Sequence, residues 1–488
     1  MLHADAASVA FAEFAAADLG HKARTKRAVQ VAEAMLRCPG DSLSTACETW
    51  AQAKAGYRLL RHRRVTPAQL LSGHVQATVA RCSSADVLLL LQDTCEADFS
   101  SRTSTSGLGQ IGNEAGRGFL FHTTLAVAAG ATFDVLGVVD QQVWARSDDK
   151  PSRRSQKLTS AQRKKLDDLE SRKWEQGARA AHQQLQSTRA RRIHVGDRES
   201  DVFEFFEAID ALGDSCVLRV KTARCLTCEP VRQARAKNLP GVYPKLTTAM
   251  VWAPVVFTKT VNVPARPQHA ARQAMVEVRA ATVSIEPPQE RSPRGNAMVR
   301  NVVWVIEPEP PQGEEAVSWF LLTKEPIETS EQVAFIVRCY EARWLIEEFH
   351  MGVKTGAGLE KSQLESAHAL MNYLSLASVV AWHLLVLRDT ARRAVPVPAG
   401  EVLTETQLEV LHGLRPKLRR GCSSYEALRT IATLGGFLAR KSDGEPGWRT
   451  LWKGFRRLLH AEQGYLLALR RQLPALTEVA TGWVLRVG

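Results

Sequence analysis

The chain has 488 residues, of which 45% are hydrophobic and 24% charged; this excludes a disordered polymer and leaves room for roughly two to four domains. Sixty-four Lys and Arg against 51 Asp and Glu give a net charge of +13 at pH 7, an excess that suits a polyanionic partner, although a merely basic enzyme would share it. Nine scattered cysteines argue against a disulfide framework and for a reducing cytosol.

Asp5, Glu13 and Asp18 interrupt the apolar N-terminus and no basic segment precedes them, so no signal peptide is expected. Residues 1–75 read as short helices with basic clusters at 21–27 and 57–64. Cations on small helices beside an aromatic suit a DNA-end-binding module; solvated helix faces would have the same composition. Residues 87–92 form an apolar run that ends in Asp93-Thr94, which predicts a buried central strand presenting a carboxylate at its end. Strands are expected over 118–128 and 132–143, and a helix over 161–186, after a Lys- and Arg-rich segment. Residues 192–196 predict a second strand, again ending in an acid, Asp197. An amphipathic helix carrying Val202, Phe205 and Phe206 follows, then a strand over 216–221. Cys225 and Cys228 have zinc-like spacing, but no second Cys/His pair lies nearby, so they are not expected to ligate.

Thirteen of the 21 prolines fall within 222–328, among β-branched runs at 255–257, 274–285 and 302–306. This predicts an all-β insertion closed by a strand over 317–323. From Gly356 the chain reads as helical. Its most apolar run, 371–387, contains Asn372 and His383 and is short for a membrane span, so a buried helix and no membrane association are expected.

Residues 340–354 organise the rest. Tyr340, Arg343 and Glu347 stand at helical spacings and Lys354 follows seven residues later, which predicts one shared helical face. Cys339, Ala342, Ile346, Phe349 and Val353 mark a second face to bury. A carboxylate flanked by a phenol and two cations suits a metal ion beside a phosphate. The plainer alternative is a surface helix with an Arg343–Glu347 ion pair, contributing about 0.2–0.5 kcal/mol. With Asp93 and Asp197 at two strand ends, Glu347 makes a third carboxylate. Acids so grouped repel unless hard divalent cations neutralise them, and two ions about 3.5–4 Å apart can drive phosphodiester chemistry.

These residues resemble the cut-and-paste DDE transposases of bacterial insertion sequences, and more narrowly the insertion-sequence-four family, to which the transposase of transposon Tn-five belongs. The carrying motif is Tyr-x2-Arg-x3-Glu-x6-Lys, present as Tyr340, Arg343, Glu347 and Lys354 and extended by Trp344, by Glu348-Phe349-His350 and by Lys354-Thr355-Gly356. Asp93-Thr94, Asp197-Arg198-Glu199 and Trp319-x-Leu-Leu-Thr also match, as do Leu434-Gly435-Gly436-Phe437 and Trp448-x2-Leu451-Trp452.

The resemblance implies an α/β chain in three parts. An N-terminal helical DNA-end-binding domain would occupy 1–75. A ribonuclease-H-like catalytic core would occupy 76–370, with the β insertion at about 222–328. A helical dimerisation region would occupy 371–488. Asp93, Asp197 and Glu347 would hold two Mg2+, with Mn2+ able to substitute. Tyr340, Arg343, Lys354 and Arg219 would contact DNA phosphates, Trp344 would lie with them, and Trp319 would stack on a flipped base. Arg27, Tyr57, Arg58 and Arg61 fall in the end-binding region. The expected partners are double-stranded terminal inverted repeats, target DNA and a second copy of the chain, in a bacterial cytoplasm at the nucleoid. The expected activity is end cleavage through a hairpin, then joining to target DNA. Alternatives are a structure-selective nuclease on the same core and a non-catalytic DNA-binding regulator. Two departures stand out: Cys95-Glu96 after the first acid, and Met351-Gly352 before Lys354.

Overall fold

The computed structural model describes residues 5–112, 115–147, 160–221, 224–227, 244–263, 270–287, 296–392, 395–440 and 443–484. Five helices lead: α1 (Ala6–Phe14), α2 (Lys22–Arg37), α3 (Leu43–Ala46), α4 (Trp50–Leu60) and α5 (Pro67–Cys82). Local sequence starts two of them. Thr49 and Gln52 exchange side-chain-to-backbone bonds at the head of α4, and Thr66 and Gln69 do so at α5. Each reciprocal box satisfies two otherwise orphaned amides. Pro67 follows Thr66 at a position where a missing N–H does no harm. Glu13 of α1 is buried and accepts bonds from His74 at 2.6 Å and Arg81 at 2.7 Å, tying α1 to α5.

Among the described residues ten strands follow: β1 (Val87–Asp98), β2 (Gly109–Ile111), β3 (Gly116–Ala129), β4 (Phe133–Trp144), β5 (Arg191–Gly196), β6 (Ser215–Arg219), β7 (Val255–Val263), β8 (Arg272–Ile285), β9 (Met298–Ile306) and β10 (Ser318–Thr323). They form one sheet in the order β2-β3-β1-β5-β6-β10-β9-β8-β7, with β4 also on β3. β1–β5 and β5–β6 are parallel, and the other pairs are antiparallel. Helices α6 (Ser160–Gln184) and α7 (Phe203–Leu212) lie in the crossovers.

The stretch expected to be all β is not so throughout. It holds a short helix, α8 (Leu246–Val251), because Leu246 and Met250, four residues apart, share one face and bury against Val283 and Ile285 of β8. Its strands also continue the central sheet through β10 rather than forming a separate layer. Cys228 lies outside the described residues.

The remaining helices are α9 (Ser330–Glu341), α10 (Trp344–Met351), α11 (Ala367–Ala391), α12 (Glu405–Leu414), α13 (Ser424–Leu434) and α14 (Trp448–Val484). β1 separates two cores. Leu89 and Leu91 face a large cluster that includes Phe14, Leu60, Ile346, Phe349 and much of α11. Leu88 and Leu90 point the other way, onto Ala181 and Leu185 of α6. This period-two division is what a strand buried on both faces requires. α11 is long and apolar enough to cross a membrane by composition, but 83% of its apolar window is buried inside the protein, which makes it a core helix. α12, α13 and α14 close over a cluster of their own around Leu411, Ile431 and Leu458.

Candidate active site

The first acid lies inside a strand rather than at its end. β1 pairs with β5 only as far as Leu91–Val195, whereas its pairing with β3 continues to Asp98–Gly118. Asp93 therefore stands just beyond the point where β1 parts from its parallel neighbour. β5 ends at Gly196, and Asp197 is the next residue, capping a short turn through Glu199 N–H at 2.9 Å. Both acids face the opening that diverging parallel strands leave at their carboxyl ends, a recurrent place for ligands.

The expected single helix over 340–354 is broken. α9 ends at Glu341 and α10 begins at Trp344. Through the joint the hydrogen bonds tighten to a three-residue span: Arg343 N–H to Tyr340 O, Leu345 N–H to Ala342 O and Ile346 N–H to Arg343 O. After α10 they widen to five, from Ala357 N–H to Gly352 O, in a π-helical turn over Gly352–Gly356. Over- and under-winding on either side of Glu347 changes the turn per residue, so strict spacing no longer sets direction. The apolar face survives: Cys339, Ala342, Ile346, Phe349 and Val353 are all buried.

Arg343 gathers the acids. Its Nη2 donates to Glu347 Oε1 at 2.6 Å. Asp93 also favours its charge, and Arg343 in turn lowers the proton affinity of both Asp93 and Asp197. Burial pushes the Asp93 carboxyl up, but His350, the Thr94 N–H and Arg343 outweigh it and hold Asp93 below the usual carboxylate range. Asp197 goes the other way: burial, and then the charge of Asp93, push it up. Their donor oxygens are not packed as a ready cage. Among the described residues, the one trio of His, Cys or carboxylate donors all within 4.8 Å of one another is Cys38, Asp41 and His460.

His350 belongs to the Glu348-Phe349-His350 extension of the motif, but no role beside Asp93 was expected of it. It is buried, its Nδ1 lies 3.5 Å from Asp93 Oδ2, and its ring meets Phe121 edge-on. Its position four residues before Lys354, on the buried side of the motif, is the signal that could have pointed to this contact.

The flanking residues divide into two groups. Trp319 lies 5.5 Å from Tyr340, ring to ring, and the Arg343 guanidinium lies 5.8 Å from Tyr340 and 5.7 Å from Trp344. Trp344 is 53% exposed. Lys354 sits 3.3 Å from Glu360 and interacts with Cys95 and Glu96 on the far half of β1. Burial pushes the Cys95 thiol up to about 12, so that departure adds no thiolate. Arg219, at the end of β6, donates to Ser318 O at 3.0 Å beside Trp319, and its Nε is buried without a partner. Arg27, Tyr57, Arg58 and Arg61 form no part of this pocket. They lie on α2, on α4 and at the end of α4, with Arg58 exposed and Arg61 3.2 Å from Glu365.

Behind the acids runs a second polar assembly, also unforeseen. Thr94 Oγ1 meets His122 Nδ1 at 2.9 Å, and His122 Nε2 meets Gln92 Oε1 at 3.1 Å. Gln92 Nε2 meets His194 Nδ1 at 3.1 Å, and His194 Nε2 meets Asp214 Oδ2 at 3.2 Å. The amide oxygen can only accept and the amide nitrogen only donate, so each imidazole has a defined tautomer and every bond points from Thr94 toward Asp214. Burial is the largest influence on both imidazoles and keeps them neutral, with His122 pushed down to about 3. Burial would raise Asp214, but His194, His182 and Arg192 outweigh it and hold its carboxyl at about 2.

Two segments of the chain match known families. Residues 6–65 match the family model described as transposase DNA-binding, and residues 379–468 match the one described as transposase Tn5 dimerisation domain. With a transposase DNA-binding segment before the sheet and a Tn5 dimerisation segment after it, the chain is a transposase. It belongs with the Tn5-like transposases of the insertion-sequence-four family.

Proposed function

We propose that this transposase binds the terminal inverted repeats of its element, cuts both ends through a hairpin intermediate and joins them to target DNA as a homodimer. The observation that carries the reading is that Arg343, bonded to Glu347, also acts through its charge on Asp93 and Asp197. The antiparallel meander β4-β3-β1 followed by parallel β5 and β6 supports a ribonuclease-H-like core over 76–370. The basic face of α2 and α4 supports end binding within 1–75. Exposed Leu466 and Leu467 on α14 support pairing of two copies through 371–488.

The pocket suits divalent cations. Its donors are hard oxygens, and the upward push of Asp93 on Asp197 is a repulsion that added positive charge relieves. Asp93, Asp197 and Glu347 would hold two Mg2+ or Mn2+, which supply activation of the attacking oxygen and stabilisation of the leaving one. Arg343 balances the carboxylates in the free protein and turns to a DNA phosphate when the strand arrives. Tyr340 and Lys354 flank that phosphate, and Trp319, already against an aromatic partner, offers its face to an unstacked base. In each step an oxygen attacks phosphorus, loses its proton, and the opposite P–O bond breaks. Water, the freed 3′ hydroxyl, water again and the 3′ hydroxyl again serve in turn, so one pocket suffices for nicking, hairpin formation, hairpin opening and joining.

The test is cleavage of duplex carrying the terminal repeat in Mg2+. Asp93→Ala, Asp197→Ala and Glu347→Ala are each expected to lower nicking by at least about 100-fold, with hairpin and target-joined products lost together. Nicking at wild-type rate in all three would refute the proposal. A chain that nicks but never yields hairpin or joined product would be a nuclease.

A further inference from the structure

A tight turn joins α2 to α3. Asp41 N–H donates to Cys38 O at 3.2 Å across Pro39-Gly40. Pro39 presets its backbone angle, and Gly40 takes φ +77°, the positive value that a type II turn requires at its third position. One turn thus delivers a thiol and a carboxylate side by side. His460, on α14, approaches from the opposite end of the chain with its Nε2 3.4 Å from Asp41 Oδ2. One donor atom each of Cys38, Asp41 and His460 lies within 4.8 Å of the others. Gln463, three residues further along α14, donates its amide to Cys38 Sγ at 3.2 Å. Rotated half a turn, that amide presents its oxygen instead.

We propose that Cys38, Asp41 and His460 bind a transition-metal dication of the zinc class, with Gln463 or water completing a tetrahedral shell. The chemistry of the donors carries the choice of ion. A thiolate and an imidazole beside one carboxylate form a borderline-soft set that favours Zn2+ or Co2+ over Mg2+, unlike the all-oxygen pocket at Asp93. Metal bonds of about 2.0–2.3 Å place tetrahedral ligands roughly 3.3–3.7 Å apart, so the trio closes with small side-chain rotations. Arg456 holds the other oxygen of Asp41, which leaves Oδ2 aimed at His460 and fixes the carboxylate as an outer hydrogen bond fixes a ligand. On binding, the metal–sulfur bond forms and the thiol proton leaves to solvent. Access is open from two directions: His460 is exposed, and a cavity of about 730 Å3 borders Cys38 and Gln463.

The position gives the site its consequence. Cys38 and Asp41 lie in the segment matched at 6–65, and His460 lies in the segment matched at 379–468. Neither segment alone supplies the three ligands. A bound ion therefore staples the N-terminal helices to α14 within one chain, whatever chemistry the acid pocket performs.

The experiment uses the full chain freed of metal by chelation and titrated with Co2+. The wild type is expected to develop a sulfur-to-cobalt charge-transfer band that Zn2+ abolishes, and its Tm is expected to rise on addition of Zn2+. The band should persist when Asp93, Asp197 and Glu347 are all replaced by Ala, since an all-oxygen site has no sulfur to report. Cys38→Ser should lose the band, and His460→Gln, at an exposed position, should weaken binding by roughly tenfold or more and lose the Tm gain. Absence of the band from the wild type, or an equal band and affinity in both Cys38→Ser and His460→Gln, would overturn the assignment.

Discussion

The two faces of β1 carry polar groups one residue apart and treat them oppositely. Gln92 and Thr94 face α6 and β3 in a chain of bonds that runs, without a mismatch of donor and acceptor, to Asp214. Asp93, between them, faces α10 in a pocket where Arg343 is bonded to Glu347 and its charge also acts on Asp93 and Asp197. The first assembly is complete within the protein. The second has more negative charge than its own residues balance, and Asp197 registers the deficit by holding its proton more tightly. A closed network specifies structure, whereas an open one is poised for a ligand.

Breaking the closed side should have the largest effect on stability. Gln92→Leu removes both middle bonds and leaves His122 Nε2 and His194 Nδ1 buried without partners; each costs about 1–3 kcal/mol. A large fall in the urea midpoint with an unchanged slope is expected. Next comes Gly177 of α6, where an added Cβ would lie 2.8 Å from Gln92 Oε1. Gly→Ala in an exposed helix gains about 1 kcal/mol, but overpacking costs about 1–3 kcal/mol. Gln92 is bonded at both ends of its amide and cannot retreat, so Gly177→Ala should lower the midpoint, by less than Gln92→Leu.

Much of this was legible in the sequence, though unevenly. Strands β1, β3, β4, β5 and β6 and helices α6 and α7 follow from apolar runs and periodicity, which depend on neighbours along the chain. Asp93 and Asp197 stood out because an acid after an apolar run is conspicuous, and Glu347 because of its spacing from Tyr340 and Arg343. Gln92 did not, because a polar residue inside such a run reads as its end, and its partners lie 30 and 102 residues away. The role of His350, though the residue stands in the motif, was hidden likewise, since its contact with Asp93 crosses from helix to strand. The break at Ala342-Arg343 was not legible because the backbone stays in the right-handed region there, and only the hydrogen-bond span changes. The helix α8 was masked by the prolines around it.

On the open side the effects are smaller and conditional on added cations. Arg343→Gln removes a cation whose charge acts on all three acids. Without divalent ions its Tm should fall, because the carboxylates then repel unopposed, and Mn2+ should restore more of the loss than it adds to the wild type. An equal Mn2+ response in the two proteins would mean that Arg343 does not stand where the ions bind.

The finest distinction is between the two aspartates. Asp197 has a folded-state pKa above its ordinary value. Its protonated form therefore contributes stability that is fully present below the unfolded pKa, about 3.9, and is lost as pH rises through the raised folded value. At neutral pH the ionised side chain subtracts from stability. Asp197→Asn cannot ionise and keeps an oxygen to cap the Glu199 N–H, so without metal it should slightly raise Tm at pH 7, with the gain vanishing in acid. Asp93 is held below its ordinary value, and the sign reverses. Its ionised form contributes stability above the unfolded pKa that is lost as pH falls through the lowered folded value, so Asp93→Asn should lower Tm at pH 7. Opposite shifts from two neutralisations in one pocket, measured by calorimetry in chelator, would show that the acids are unequal before any cation arrives. Shifts of the same sign would mean that Arg343 and His350 do not favour Asp93 over Asp197.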